Sequence, residues 1–215
     1  MPEVKFCGLT RAVDAQMGGA LGAAYLGVIF AGGPRQLDAA SARLVLDGAG
    51  RDSRARRVGV FGAHTVQEIA DTAATAALDI VQLHGPSDAA LVDALRQRFD
   101  GDIWRVVRVP DVGGAAALRG ASDGVDAVVV DALVDGALGG TGVAVDWERL
   151  AAALDSDGRP ARLVLAGGLR PENVARAVGL VAPDVVDVSS GVESSIGIKD
   201  HARMRAFAEA ARGGR

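Results

Sequence analysis

Few groups in this chain combine a reactive type with a telling position. They are one thiol, carboxylates at the ends of apolar runs, and an arginine and turns set among glycines. Cys7 closes the run Val4-Lys5-Phe6-Cys7 and precedes Gly8. As a thiolate at a strand mouth it could abstract a proton; as a buried thiol it would be inert, and taken alone that reading comes first. A free cysteine titrates near about 8.5, so a base here needs surroundings that favour the thiolate. Asp131 ends the run Ala127-Val128-Val129-Val130. A carboxyl there is costly to bury unless paired or functional, and a partly desolvated one can hold a proton for donation. A loop or helix cap is the competing reading. Residues 132–145, with Gly136, Gly139, Gly140 and Gly142, are expected to form a lid beside it.

Two glycine-rich turns, Ala166-Gly167-Gly168-Leu169 and Ser189-Ser190-Gly191-Val192-Glu193, suit a phosphate. Backbone N–H groups can hold a dianion where no side chain intervenes, and Gly167, Gly168 and Gly191 supply that access. Ser190 adds a hydroxyl. Either turn alone would be read as a tight turn; together they favour phosphate. Arg35, in Gly32-Gly33-Pro34-Arg35, offers a two-pronged fork for a carboxylate, although spacing alone does not distinguish it from a surface arginine. His84 and Asp187 end apolar runs and join the substrate-binding candidates by position, His84 reading first as a hydrogen-bonded wall residue. These partners are too few and too generic for a metal, so neither metal nor cofactor is expected.

The elements that must position these groups alternate. Residues 4–7, 25–30, 57–61, 80–83, 103–109, 127–131, 163–166 and 185–188 read as strands, near-continuously apolar as in a parallel sheet covered on both faces. Between them lie alanine-rich helical stretches such as 66–76, 88–98 and 171–178, the last with Pro171 at its first position. Eight such units predict an α/β fold: a single (β/α)8 TIM barrel over residues 1–215, with phosphate-binding loops after strands seven and eight. Active sites of such barrels lie at the strand C-termini, where Cys7, His84, Asp131 and Asp187 all fall. An open doubly wound sheet is the alternative. It is disfavoured because Cys7-Gly8-Leu9-Thr10 lacks a dinucleotide fingerprint and Gly139-Gly140-Thr141-Gly142 lacks the lysine of a P-loop.

Composition narrows the function classes. Charge is -4 from 23 basic and 27 acidic residues, interspersed, with no basic face for nucleic acid. Only Lys5 and Lys199 are lysines. No apolar run reaches the ~20 residues of a membrane helix, and the N-terminus lacks the basic flank of a secretory signal. A cytoplasmic protein with no membrane partner is the expectation, monomer or homodimer. A lone cysteine excludes an internal disulfide.

Lys5-Phe6-Cys7-Gly8-Leu9-Thr10 resembles the opening motif of the phosphoribosylanthranilate isomerases. The resemblance continues through Gly32-Gly33-Pro34-Arg35, Val81-Gln82-Leu83-His84-Gly85, Val130-Asp131 and Leu165-Ala166-Gly167-Gly168-Leu169 to Asp187-Val188-Ser189-Ser190-Gly191-Val192-Glu193. It implies an Amadori rearrangement of a phosphorylated small molecule in tryptophan biosynthesis. By motif, Asp131 is the general acid, Cys7 the general base, Arg35 holds the anthranilate carboxylate and the glycine turns hold the 5'-phosphate. Two departures stand out. Ser195-Ile196-Gly197 has Ile where the family usually has Pro, which predicts a less rigid last loop. Ala31-Gly32-Gly33 lacks the serine common before the Pro-Arg pair. The rival readings are a histidine-pathway or dual-specificity isomerase, which generally carries Asp at the Cys7 position, and a catalytically silent phosphate-binding barrel.

Overall fold

Successive side chains of a strand point to opposite faces, so the residue parity of each apolar run decides what it offers to each side. The computed structural model describes residues 1–85, 87–108, 122–131, 147–157 and 159–213. Eight parallel strands close into a barrel: β1 (Glu3–Phe6), β2 (Tyr25–Ile29), β3 (Arg56–Phe61), β4 (Ile80–Leu83), β5 (Asp102–Arg108), β6 (Ala127–Asp131), β7 (Leu163–Ala166) and β8 (Val185–Val188). Each lies within a residue of its expected span, apart from residue 109, which is outside the described residues. Barrel closure sets β1 beside β8 with Lys5 opposite Asp187.

Outward residues such as Phe6, Leu26, Val128, Leu165 and Val188 pack beneath the helices. Inward residues Tyr25, Val58, Ile80, Trp104, Val129 and Val164 fill the barrel interior, with Tyr25 and Trp104 meeting edge to face at 4.9 Å between ring centroids. This makes the interior a packed core below and leaves polar inward positions above it. Cys7 lies one residue beyond β1, its N–H still bonded to the Val188 carbonyl at 2.8 Å, and shares the inward parity of Lys5.

The helices are α1 (Ala12–Ala20), α2 (Ala39–Asp47), α3 (Val66–Ala76), α4 (Ala89–Arg96), α5 (Trp147–Asp157), α6 (Val174–Val181) and α7 (His201–Gly213). Thr65 and Glu68 form a reciprocal capping box on α3, and the Asp38 and Asp88 side chains cap α2 and α4, which is why those helices begin where they do. Pro171 does not open α6. Asn173 accepts from the Arg170 N–H at 2.7 Å and donates to the Gly168 carbonyl at 3.0 Å, so residues 171–173 form a turn and the helix starts at Val174. The local side-chain bonds outcompete proline's preference for a first helical position. No described helix is long and apolar enough to cross a membrane.

After β8 a short 3-10 turn (Ser190–Val192) leads into a hairpin of β9 (Glu193–Ser195) and β10 (Ile198–Lys199). Ile196, which stands where the family usually has Pro, sits exposed at its tip; strand pairing and a bond from Thr10 to the Gly197 carbonyl tether the loop. The fully buried Asp14 of α1 fastens the hairpin to the barrel, accepting from Arg11 Nε and Nη2, from the Lys199 N–H and sharing a hydrogen with His201 at 2.8 Å. Burial alone would raise its titration; the Arg11 and His201 bonds outweigh that and hold it below the usual carboxylate range. Asp14→Ala is expected to cost about 2 kcal/mol in a urea melt, because a charged acceptor serving three elements is lost. This contribution is present at neutral pH and lost as pH falls through the depressed titration of Asp14. An unchanged midpoint would show the cluster to be ornamental to stability.

Candidate active site

At the C-terminal mouth of the barrel, inward positions that end strands converge. Cys7 follows β1, His84 follows β4, Asp131 ends β6 and Asp187 belongs to β8, and all four line one cavity. Gly167, Gly168, Ser190 and Gly191 line the same cavity from the loops after β7 and β8. Gly167 and Gly168 both have positive φ, a backbone that side-chain-bearing residues rarely adopt. At Gly191 the constraint is approach rather than φ: an added Cβ would overlap the Leu169 carbonyl oxygen. Glycine there lets the seventh and eighth loops touch. The apolar wall is Ile29, Val60, Val106 and Val129.

Arg35 is the one sequence candidate placed off the cavity wall. Its Nε and Nη2 donate to the two Glu193 oxygens at 2.7 and 2.6 Å, and its chain lies against Gly8, next to Cys7. Glu193 also accepts from Lys199 Nζ at 2.9 Å. Burial would raise the Glu193 titration, but the two cations outweigh it and hold the carboxylate ionised; burial in turn pulls Lys199 down despite its partner. The lid expected at residues 132–145 lies outside the described residues, as do Gly139-Gly140-Thr141-Gly142.

Sequence reasoning passed over several site groups. Lys5 is fully buried and donates to Asp187 Oδ2 at 2.7 Å. Its burial disfavours the ammonium, yet Asp187 and Cys7 more than reverse this and raise its titration. Burial pushes the Cys7 thiol up, opposed chiefly by Lys5. Gln82 of β4 lines the cavity, and its Oε1, like Asp187 Oδ1, is buried with no hydrogen-bond partner among the described residues. Two such acceptors in one cavity suit O–H or N–H donors of a ligand. The available signal was a lysine and a glutamine at inward positions of otherwise apolar strands.

With acid, thiol, orphaned acceptors and two glycine turns around one cavity, the arrangement suits proton transfer on a phosphorylated ligand. Comparison with known proteins agrees. The family model described as N-(5'phosphoribosyl)anthranilate (PRA) isomerase matches residues 4–210. The N-(5'-phosphoribosyl)anthranilate isomerase of Pseudomonas aeruginosa strain UCBPP-PA14 is 40% identical, covering 98% of this chain and 95% of its own. The crystal structure of phosphoribosyl anthranilate isomerase from Thermotoga maritima is 32% identical with a TM-score of 0.85, covering 99% of this chain and all of that one. A phosphoribosyl anthranilate isomerase solved in complex with reduced 1-(o-carboxyphenylamino)-1-deoxyribulose 5-phosphate is 30% identical with a TM-score of 0.81, over 99% of this chain and 100% of that one.

Proposed function

Because the chain belongs to the N-(5'-phosphoribosyl)anthranilate isomerase family, we propose that Cys7 and Asp131 divide the proton transfers of its reaction. That reaction rearranges N-(5'-phosphoribosyl)anthranilate to 1-(2-carboxyphenylamino)-1-deoxyribulose 5-phosphate in tryptophan biosynthesis. The observation that carries the division is that a thiol on β1 and a carboxyl on β6 line one cavity together with both glycine turns.

Asp131 protonates the furanose ring oxygen as the bond from that oxygen to the sugar's first carbon breaks. The anthranilate nitrogen supplies its lone pair, giving an open-chain iminium. Cys7 as thiolate then removes the proton from the second carbon, whose electrons flow into the iminium and leave an enol-amine. Tautomerisation yields the ketone. The iminium acidifies the proton that Cys7 takes. The acid must begin protonated and the base deprotonated at the same pH, which two unlike environments can provide.

The 5'-phosphate goes to the turns at Gly167, Gly168, Ser190 and Gly191. Sugar hydroxyls donate to Asp187 Oδ1, where the orphaned acceptor supports the assignment, and His84 forms part of the same wall. The anthranilate carboxylate goes to Arg35 through Nη1, since Glu193 holds the other edge. No step calls for a cofactor or metal. All named residues come from one chain, so monomer and homodimer serve equally, and a cytoplasmic location belongs to the same proposal.

Loss of fluorescence of freshly generated phosphoribosylanthranilate, in chelator-containing buffer, tests the function. Acceleration over the spontaneous background supports it; none, with folded protein, sinks it. Gly191→Ala is expected to raise KM about tenfold, equivalent to about 1.4 kcal/mol of binding, by forcing the two phosphate loops apart. A KM equal to that of the parent chain would remove the phosphate from these turns.

A further inference from the structure

The assignment of Cys7 as base leaves a difficulty, since burial in the barrel mouth favours the neutral thiol. Something must supply positive charge beside the sulfur. We propose that Lys5 is a positioning residue for this reaction: its buried ammonium, anchored on Asp187, provides the charge against which Cys7 can exist as a thiolate. The proposal rests on Cys7 being the base, and adds a residue that the resemblance did not assign.

Three features of the structure point to it. First, Lys5 and Cys7 are two apart along β1 and its extension, so both side chains point inward. Their juxtaposition is measured at Gly27 of β2: a Cβ built there would lie 3.0 Å from Cys7 Sγ and 3.4 Å from Lys5 Cε. Sulfur and lysine chain therefore crowd the same small space, which exists because residue 27 has no side chain. Second, Lys5 is fully buried and cannot extend its head to water, and its ammonium reaches Asp187 Oδ2 at 2.7 Å. A well-packed apolar pair would fill the interior without the desolvation cost, so an ion pair directly beneath the base calls for a functional reason. Third, of 23 basic residues only two are lysines, and both are buried on carboxylates, Lys5 on Asp187 and Lys199 on Glu193.

The other charged groups around the cavity do not replace Lys5. Lys199 of β10 donates to the Ser189 carbonyl and to Glu193 of β9, and Arg35 places two nitrogens on that same carboxylate. Asp187 of β8 opposes the thiolate, and Asp131 of β6 and His84 are the other titratable groups on the cavity wall. Asp187 nonetheless serves the thiolate indirectly, by keeping Lys5 charged against its own burial.

Cys7 is the sole cysteine, so the ultraviolet absorbance of the thiolate as a function of pH reads this one group, with Cys7→Ser as the blank. Lys5→Met is expected to move the thiolate midpoint up by about one pH unit or more, the range for loss of a close opposite charge. Because one unit is tenfold in thiolate fraction, kcat at neutral pH should fall about tenfold or more with KM little changed. Lys5→Arg, which keeps the charge, should bring the midpoint back toward that of the parent chain. Should Lys5→Met leave Asp187 unpaired and fail to melt cooperatively, Lys5→Gln removes the charge while keeping an N–H for Asp187, with the same expected shift. A midpoint unchanged in a folded Met or Gln variant, or an Arg variant shifted as far as Met, overturns the proposal. Parent-like turnover by Cys7→Ser would instead overturn the base assignment, while the titration would still report whether Lys5 and Cys7 are coupled.

Discussion

Cys7→Ser is expected to lower kcat by about 10²- to 10⁴-fold, the usual worth of a positioned general base. Serine is close in size to cysteine, and Cys7 is buried among groups already held by the β1–β8 ladder, so the fold should survive. What changes is proton affinity: a hydroxyl is far harder to ionise than a thiol. The pH profile separates this from simple damage. Burial holds the Cys7 thiol above its ordinary range in the free chain, so the thiolate fraction, and with it kcat/KM, should climb as pH rises through and beyond neutrality. The serine variant should lose that ascending limb. Rates of freshly generated substrate consumption across pH, for both proteins, are the measurement. A serine variant within tenfold of the parent, or with the same limb, would return Cys7 to the inert buried thiol that its sequence context first suggested.

Asp131→Asn carries a comparable expected loss, again about 10²- to 10⁴-fold in kcat. The amide nearly matches the carboxyl in shape and still lines the cavity wall at the end of β6, so substrate binding and KM should change little. It has no acidic proton to give the ring oxygen, and the ring cannot open at a useful rate without one. Steady-state kinetics together with the affinity for inorganic phosphate distinguish the two roles. Lost turnover with retained phosphate affinity fits the acid; retained turnover would make Asp131 a loop cap. Cys7 and Asp131 act in successive steps, so the double variant should lose less than the product of the two single losses.

Local rules sufficed for much of this protein. Eight apolar runs marked the strands because parallel strands covered on both faces need near-continuous Val, Ile and Leu, and the observed spans agree to within a residue. Strand ends then located Cys7, His84, Asp131 and Asp187, and glycines marked the seventh and eighth loops, because turn chemistry and inward parity are properties of a few neighbouring residues. Where several local preferences compete, as at Pro171 and Asn173, the proline rule alone misplaces the helix start.

Charge pairing was a different matter. Lys5 meets Asp187 across 182 positions and Arg35 meets Glu193 across 158, and no periodicity within either segment announces the partner. Only closure of the barrel, which sets β1 against β8, and the hairpin that folds back over the loop after β2 bring those groups together. The sequence alone thus determined the barrel and which polar side chains line its mouth, through short-range sterics and alternation. The tertiary structure decided their electrostatic state, because desolvation and ion pairing depend on which distant residues share the same buried space.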